Sequence, residues 1–293
     1  IKCIIHTAAQ PSHDWAVKEP LTDFNINANG TLNLLYLSKK YCQKSVFIYV
    51  STNKVYGDLP NELPLVEKKK RYEINSKHPF YQGIDDKMSI DKSIHSLFGV
   101  SKISGDLLAQ EYGKNLKLKT GIFRLGCITG ENHAGAELHG FLSYLFKATK
   151  DGIKYKIYGY KGKQVRDNIH AKDLVSCFWN YYLNPKKGEV YNIGGEAERQ
   201  NIEVVEGICD VLDSLIPNGN FASYRDLIRF VPDRPGHDYR YSVSCDKLKS
   251  ELGWNPSRSF EEGLTQTVSW YLENRDWWQS IQKRYDGRRQ GLG

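Results

Sequence analysis

The side chains that could do chemistry in this sequence stand in short turns behind apolar runs. The run VFIYV at 46–50 leads into the hydroxyl-rich turn STNKVYG at 51–57, and the run at 1–6 leads into the small-residue turn TAAQ at 7–10. A hydroxyl such as that of Thr52 can orient a reacting group, and small residues let the backbone approach a flat cofactor closely. Both segments can also be plain tight turns, so the two interpretations stay open at this point.

A third polar segment, FGVSK at 98–102, opens a predicted helix. An open α/β sheet presents its ligand crevice beyond the carboxyl ends of its strands. We therefore expect the segments 7–10, 51–57 and 98–102 to meet at one edge of such a sheet.

Short β-branched or aromatic runs alternate with longer amphipathic stretches in the first part of the chain. Strands are predicted at 1–6, 45–51 and 119–125, and helices at 25–42 and 98–114. This alternation is typical of a parallel sheet wrapped by helices, and the fully apolar middle strand indicates burial on both faces. The sequence therefore predicts an α/β fold with a doubly wound parallel sheet.

The pattern becomes less regular after Gly130. We expect residues 1–130 to form the cofactor-binding domain and residues 131–293 to form mainly a smaller substrate domain, with some segments returning to the main sheet. Helices are predicted near 173–183, 202–215 and 259–274, and a strand that ends in a glycine turn at 191–195. The polar segment 58–92, with its basic run KKKR at 68–71, is interpreted as a solvated loop.

Composition narrows the class of protein. Of the 293 residues 40% are hydrophobic and 26% charged, which fits an ordinary globular chain. No apolar run approaches the ~20 residues of a membrane span and no signal peptide is recognised, so we expect a cytoplasmic protein without a membrane partner. The six cysteines stand singly, without a CxxC pair, which favours buried free thiols and no metal site. The net charge of +7 suits a phosphate-bearing small ligand, because the lysines are spread out and no nucleic-acid module is present.

Six motifs resemble, in their order along the chain, those of extended short-chain dehydrogenase/reductases that act on nucleotide sugars, the NAD-dependent epimerase/dehydratase family. They are NxNxxGTxNLL at 25–35, STxxVYG at 51–57, the YxxxK-like FGVSK at 98–102, GKQVRDxxHxxD at 162–173, RPGHD at 234–238 and LGWxP at 252–256. The resemblance implies a Rossmann-like sheet that binds NAD and a smaller C-terminal α/β domain that binds a nucleotide-diphosphate sugar. It also implies a homodimer, since relatives pair through helices like the one predicted at 98–114.

Positions 53 and 54 separate two branches of this family. The turn of sugar 4,6-dehydratases resembles STDEVYG, and its two carboxyl groups act as acid and base in removing water. This chain has Asn53 and Lys54, and its string STNKVYGD, its insertion at 58–92 and its segment IDxSxHS at 90–96 resemble CDP-paratose 2-epimerase. The resemblance implies NAD-dependent epimerisation of a CDP-sugar, by transient oxidation to a keto-sugar and return of the hydride. Another nucleotide-sugar oxidoreductase, a 4-epimerase and a noncatalytic sugar-nucleotide binding protein stay open as alternatives.

The base of the family is replaced in this sequence. Relatives use the tyrosine of YxxxK, whose pKa is lowered by the neighbouring lysine and the oxidised nicotinamide, but this position holds Phe98. Either another group takes the proton or the protein is a poor catalyst, and Tyr56, His95 and Lys54 are the candidate substitutes. Lys102 keeps the place of the family lysine and is expected to hold the nicotinamide ribose, with an ordinary solvated helix lysine as the alternative.

The resemblance also assigns roles position by position. The expected catalytic positions are Thr52, Asn53, Lys54, Lys102 and the family tyrosine position Phe98. The expected cofactor contacts are Thr7, Ala8, Ala9, Gln10, Asn27, Val50, Ser51, Lys102 and Arg124. The expected substrate contacts are Tyr56, His95, His139, Lys163, Arg166, Arg234 and Asp238. Arg166 and Arg234 are expected at the diphosphate because a guanidinium fork matches phosphate oxygens, with surface ion pairs as the alternative.

Members of the family begin with a strand, a GxxGxxG turn and a helix, and the backbone amides of that turn hold the NAD pyrophosphate. No glycine precedes Gly30, so we expect this chain to lack ~70 residues of a typical βαβαβ half. Residues 1–293 alone are therefore expected to bind NAD weakly or not at all and to expose a sheet edge at 1–6.

Overall fold

The computed structural model describes residues 1–133, 152–217, 222–233 and 237–282. The strands are β1 (Cys3–His6), β2 (Val46–Thr52), β3 (Leu65–Glu67), β4 (Tyr72–Ile74), β5 (Lys119–Leu125), β6 (Cys127–Thr129), β7 (Tyr155–Tyr158), β8 (Val165–His170), β9 (Glu189–Ile193), β10 (Glu198–Gln200), β11 (Ile228–Val231) and β12 (Arg240–Tyr241). The helices are α1 (His13–Lys18), α2 (Pro20–Phe24), α3 (Gly30–Tyr41), α4 (Leu59–Glu62), α5 (Leu97–Lys114), α6 (Ala171–Leu183), α7 (Asn201–Leu215), α8 (Asp246–Leu252), α9 (Phe260–Glu273) and α10 (Arg275–Gln282).

The main sheet consists of four parallel strands in the order β1-β2-β5-β9. On one face, Leu35 of α3 and Ala109 of α5 pack with Phe47 of β2. On the other face, Phe178 of α6 packs in a cluster with Ile48. Successive side chains of a strand point to opposite faces, so the apolar run in β2 is buried from both sides. The predicted doubly wound parallel sheet is confirmed.

A second, smaller sheet lies later in the chain. Its central strand β8 pairs antiparallel with β10 and parallel with β12 and β6. Strands β7 and β11 form a separate parallel pair, and a core of Tyr155, Ile208, Leu212 and Leu264 joins that pair to α7 and α9. Strand β9 comes after β8 and before β10 in the sequence, yet it pairs with β5 in the main sheet. The domain division at residue 130 stays a prediction.

The insertion at 58–92 is packed onto the second sheet. Strands β3 and β4 form an antiparallel hairpin around the basic run. Arg71 forms ion pairs with Glu73 and Glu198, and Arg240 donates to Glu73 at 2.6 Å and to Glu198 at 2.8 Å. The solvated-loop interpretation is therefore wrong for Arg71, because two glutamates from different segments hold its guanidinium.

Two helical segments, 25–41 and α5, flank the expected site. The predicted helix at 25–42 is divided into a π-helical turn, Asn25–Asn29, and α3. Helix α5 begins after Ser96, whose hydroxyl accepts the Gly99 N–H at 3.1 Å as an N-cap. A Cβ at Gly105 would lie 2.3 Å from the Tyr49 hydroxyl, so glycine is needed for α5 to approach β2 this closely.

The six cysteines are all free, with Cys177, Cys209 and Cys245 buried and the other three half-buried. Within the described ranges, no three His, Cys, Asp or Glu side chains are grouped so that they could hold a metal ion. The described helices include none with the length and apolar character that crossing a membrane requires.

Candidate active site

Thr52 stands at the carboxyl end of β2, and its side chain is half-buried. The Thr52 hydroxyl accepts the Lys54 N–H at 3.3 Å and donates to the Asn53 amide oxygen at 3.2 Å. The hydroxyl therefore caps the 3₁₀ turn Asn53–Tyr56, which agrees with the interpretation of this segment as a tight turn. Because the side chain also keeps part of its surface exposed, this capping leaves room for a contact with a sugar hydroxyl.

Lys102 is 5% exposed and is therefore not a solvated helix lysine. The Lys102 ammonium donates to the Val50 carbonyl oxygen at 2.8 Å and lies 4.7 Å from the centroid of the Tyr49 ring. Burial lowers the pKa of Lys102 to about 8, although the carboxylates of Asp106 and Asp23 oppose the shift. The buried Lys102 ammonium is thus bound to the backbone of β2, two residues before Thr52.

A buried polar network fixes the turn after β1 against the helix of Lys102. The Gln10 N–H donates to the Asn27 amide oxygen at 2.9 Å, and the Gln10 amide donates to Asp23 at 2.7 Å. The Asn27 amide also donates to the Ser101 hydroxyl at 3.0 Å. Gln10 and Asn27, both predicted as cofactor contacts, are therefore engaged with each other and shape the turn. The other predicted contacts there, Thr7, Ala8 and Ala9, are exposed beyond the end of β1.

Arg124 and Ser51 lie in the interior rather than at an open ligand surface. The Arg124 guanidinium donates to both carboxylate oxygens of Asp106 at 3.0 Å, and the Ser51 hydroxyl donates to the same carboxylate at 2.6 Å. Burial lowers the pKa of Arg124, but Asp106 outweighs burial and the net pKa is raised, so the guanidinium stays charged. These two residues tie the ends of β2 and β5 to α5, and their expected cofactor role stays a prediction.

Tyr56, which is predicted as a substrate contact and as a substitute base, is fully buried. Its hydroxyl donates to the Asn192 amide oxygen at 2.7 Å and accepts from Arg124 at 3.1 Å. Burial raises the pKa of Tyr56, although Arg124 opposes the shift. The phenol therefore has both of its partners in the interior, and its two predicted roles stay predictions.

His95 is turned toward the backbone. One ring nitrogen lies 3.0 Å from the Ile90 carbonyl oxygen, and the other lies 3.4 Å from the Lys54 carbonyl oxygen. These contacts join the insertion to the turn after β2. Both ring nitrogens therefore lie near backbone carbonyl oxygens, and the predicted roles of His95 as substrate contact and substitute base stay predictions.

Lys54 forms an ion pair with Asp238, a residue 184 positions further along the chain. The ammonium donates to the two carboxylate oxygens at 2.8 and 2.7 Å, with 20% and 6% of the two side chains exposed. Burial raises the pKa of Asp238, but Lys54 and Arg166 outweigh it, so the net pKa is lowered. The structure thus brings together three predicted site residues, Lys54, Asp238 and Arg166, beside the half-buried Cys127 of β6.

The remaining predicted substrate residues are placed as follows. Arg166 of β8 is half-buried and donates to the Val165 carbonyl oxygen at 2.8 Å. The Lys163 ammonium binds the Glu67 carboxylate of the insertion at 2.6 Å, so its charge is matched by the hairpin. His139 and Arg234 lie outside the described residues.

His13, which the sequence analysis did not select, contacts the family tyrosine position. The rings of His13 and Phe98 have centroids 4.9 Å apart with an interplanar angle of 59°, and Phe98 is 7% exposed. His13 is the first residue of α1 and half-buried. The available sequence clue was a histidine three residues after the small-residue turn that follows β1.

Comparisons with known proteins bear on this arrangement. Residues 1–267 match the family model described as GDP-mannose 4,6 dehydratase. The chain is 33% identical over 309 residues to dTDP-glucose 4,6-dehydratase of Escherichia coli, covering 99% of this chain and 78% of the relative. A solved structure of dTDP-glucose 4,6-dehydratase from Streptomyces venezuelae with NAD bound is 28% identical and has a TM-score of 0.76, over 96% of this chain and 76% of that one. UDP-glucose 4-epimerase of Thermotoga maritima has the same fold at 23% identity, with a TM-score of 0.72 over 94% of this chain and 78% of that one.

Proposed function

The chain belongs to the NAD-dependent epimerase/dehydratase family of extended short-chain dehydrogenase/reductases, and on that basis we propose that it uses NAD to epimerise a carbon of a nucleotide-linked sugar. The relatives reported above are named dehydratases and a 4-epimerase. The choice of epimerisation and of a CDP-sugar as substrate is therefore our proposal.

The ion pair between Lys54 and Asp238 carries this proposal. Removal of water needs one group to take a proton from carbon and a second to protonate the departing hydroxyl. The turn of dehydratases resembles STDEVYG, with Asp and Glu at its third and fourth positions. At those positions this chain has the amide of Asn53 and the ammonium of Lys54, whose charge is neutralised by Asp238. An amide does not exchange protons near neutral pH. Two of the groups that oxidation and re-reduction use, the Thr52 hydroxyl and the Lys102 ammonium, are kept, whereas the family tyrosine is replaced by Phe98.

The residues at the ends of β1 and β2 fit a nicotinamide cofactor. Thr7, Ala8 and Ala9 present small exposed side chains beyond β1, so a flat ring can approach their backbone. The Lys102 ammonium has three N–H donors, and among the described residues its hydrogen-bond acceptor is the Val50 oxygen. Two donors are therefore available to ribose hydroxyls. When bound, NAD supplies reversible hydride transfer, and the chain supplies position and charge.

The nucleotide-sugar is oriented by charge and by the hydroxyl turn. Arg166 can bind a diphosphate oxygen with the part of its guanidinium that remains accessible. The Thr52 hydroxyl holds the reacting sugar hydroxyl, while the Lys102 charge favours the negative charge that develops on the sugar oxygen. Asp238 keeps the Lys54 ammonium fixed at the side of the site where the diphosphate is expected.

The proposal is tested by incubating the full-length protein with CDP-, dTDP-, UDP- and GDP-linked sugars and following the products by NMR. We expect inversion at one hydroxyl-bearing carbon of a CDP-sugar, with a deuterium label at that carbon retained in the product because the same hydride returns. Lys102→Ala should abolish this inversion. If none of the four nucleotide-sugars gives an epimer, epimerisation is ruled out.

Dehydration is the second candidate, since dehydratases at 33% identity favour it. A product that has lost water, formed from dTDP-glucose in the same assay, would support this candidate against epimerisation.

The third candidate is a noncatalytic sugar-nucleotide binding protein, which the replacement of the family tyrosine by Phe98 favours. Binding in calorimetry without any turnover would support it, and turnover that depends on Lys102 would exclude it.

A homodimer is also proposed, formed by a second copy of this chain. Helices α3 and α5 lie side by side, and their exposed apolar residues include Leu32, Tyr36, Val100 and Leu107. These four side chains carry no charge, so a two-fold axis can place the face against itself without burying an unpaired ion. Light scattering should give a dimer for the natural protein and a monomer for Leu107→Glu. A monomeric natural protein would contradict this part of the proposal.

A further inference from the structure

The hairpin of β3 and β4 carries the basic run at 68–71, which the proposed function does not use. A cavity of about 450 Å³ lies at this hairpin, within the ~300–1,000 Å³ usual for small-molecule sites. The residues that line the cavity include Val66, Lys68, Arg71, Ile74, Asn75 and Tyr81. None of its lining residues is among those predicted for the active site, so the cavity needs an explanation of its own.

The carboxylate that lines the cavity is neutralised by its neighbours. Arg71 and Arg240 both form ion pairs with Glu73, and both form ion pairs with Glu198 of β10. Two carboxylates are therefore matched by two guanidiniums. Arg71 uses its Nε and one of its Nη groups for these carboxylates, and its other Nη group has no acceptor among the described residues. Donors of Arg71 are thus available to a ligand.

Lys68 adds a positive charge that no carboxylate matches. Its backbone N–H donates to the Arg71 carbonyl oxygen at 2.9 Å, which closes the turn between β3 and β4, and its side chain is exposed. In the part of the chain that the structure describes, no carboxylate forms an ion pair with Lys68, Lys69 or Lys70. A surplus of one charge at a concave surface attracts a ligand of the opposite charge. The cavity is therefore suited to an anion such as a phosphate group.

Other lining residues are suited to a planar ring. The Tyr81 side chain is 41% exposed, and aromatic side chains of this kind stack on nucleobases. Val66 and Ile74 add apolar surface to the lining. The Asn75 amide oxygen accepts the Lys77 N–H at 3.0 Å, while the Asn75 NH₂ group has no acceptor among the described residues. This NH₂ group can donate to a ring nitrogen or a carbonyl oxygen of a base.

We propose that the cavity at the β3–β4 hairpin is a binding site for a nucleoside phosphate. Lys68 and the available Nη group of Arg71 bind the phosphate, Tyr81 stacks on the base, and the Asn75 amide donates to the edge of the base. The ligand is bound without any covalent step. Because the lining residues all belong to the insertion, the proposal does not depend on the proposed epimerisation.

Limited proteolysis by trypsin tests this site locally, because the exposed residues 68–70 connect the two strands and trypsin cleaves after lysine and arginine. We expect cytidine diphosphate, added to the full-length protein, to slow cleavage within 68–71. Cleavage after the exposed Lys187, between α6 and β9, should keep its rate in the same peptide mass spectra. The concentration of cytidine diphosphate that gives half of the full protection measures the affinity. Cytidine alone and inorganic phosphate alone should each need a higher concentration.

Variants assign the protection to the cavity. Lys68→Gln and Tyr81→Ala should each raise the half-protecting concentration of cytidine diphosphate by about 10-fold, because one removes a charged donor and the other the stacking ring. Tyr81→Phe keeps the ring, and Lys87→Gln changes another exposed lysine of the insertion, so both should keep the natural concentration.

Three outcomes would overturn the proposed site. The first is no protection of 68–71 by millimolar cytidine diphosphate, and the second is the natural half-protecting concentration in either Lys68→Gln or Tyr81→Ala. The third is equal protection by inorganic phosphate and cytidine diphosphate, which would leave an unspecific anion contact in place of a nucleoside phosphate site. Each of these outcomes leaves the proposed epimerisation standing, since that proposal is tested by turnover of nucleotide-sugars.

Discussion

Removal of one partner of the ion pair between Arg124 and Asp106 should lower the free energy of unfolding strongly and should change cofactor affinity little. The two side chains are 4% and 1% exposed, so solvent does not screen them. The Asp106 carboxylate accepts two bonds from Arg124, one from Ser51 and one from Gln110 at 2.7 Å. Asp106→Asn keeps one acceptor oxygen and leaves a buried guanidinium without its counter-charge. Breaking a buried pair in this way costs about 3–5 kcal/mol of the free energy of unfolding.

Urea denaturation of Asp106→Asn, Arg124→Met and the double variant Arg124→Met/Asp106→Leu measures this contribution. Each single change should lower the free energy of unfolding by about 3–5 kcal/mol, whereas the apolar double variant should recover most of the loss because no unpaired charge remains. NAD affinity, measured by calorimetry on the folded fraction, should be unchanged in Arg124→Met. If Arg124→Met weakens NAD binding while its unfolding free energy stays at the natural value, Arg124 is a cofactor ligand and the interior assignment is wrong.

Three further outcomes are expected. Burial lowers the pKa of Lys102 to about 8, so its ammonium loses the proton as the pH rises through that value; epimerisation rates across a pH series should fall above about pH 8, and Lys102→Met should be slow at every pH. Tyr56→Phe removes the hydroxyl bonds to Asn192 and Arg124, so denaturation should show a loss of about 1–3 kcal/mol with turnover kept, whereas loss of turnover at normal stability would restore Tyr56 as a base. Lys54→Glu alone places two carboxylates together and should lower stability, whereas Asn53→Asp/Lys54→Glu/Asp238→Asn should begin to release water from dTDP-glucose, which mass spectrometry detects.

The sheet and its flanking helices could be predicted from the sequence, because the spacing of apolar residues along a short segment indicates which of its faces is buried. The run 46–50 is apolar at every position, and the structure covers β2 on both faces. Helix α5 and α9 begin and end within one residue of the predicted ranges, where Ser96 and Ser259 act as N-caps. Boundaries set by a few adjacent residues are recoverable from the sequence.

The partners of the polar side chains could not be predicted in this way. Lys54 and Asp238 are 184 positions apart, and Tyr56 and Asn192 are 136 apart, so only the folded sheet edge brings them together. Nothing near Arg124 in the sequence distinguishes an arginine aimed at a phosphate from one aimed at Asp106. The contact of His13 with Phe98 likewise depends on how α1 is folded back against α5.

The replacements at positions 53, 54 and 98 are consistent with one another in terms of proton transfer. Elimination of water needs two titrating groups, whereas epimerisation needs only one group that takes a proton and returns it. In this chain Lys54 is paired with Asp238, and the family tyrosine position holds the apolar Phe98. In the proposed reaction, the Lys102 ammonium would favour the developing alkoxide and Arg166 would bind the diphosphate. An amide at position 53 and an ion-paired ammonium at position 54 therefore support the proposed oxidation and re-reduction over the removal of water.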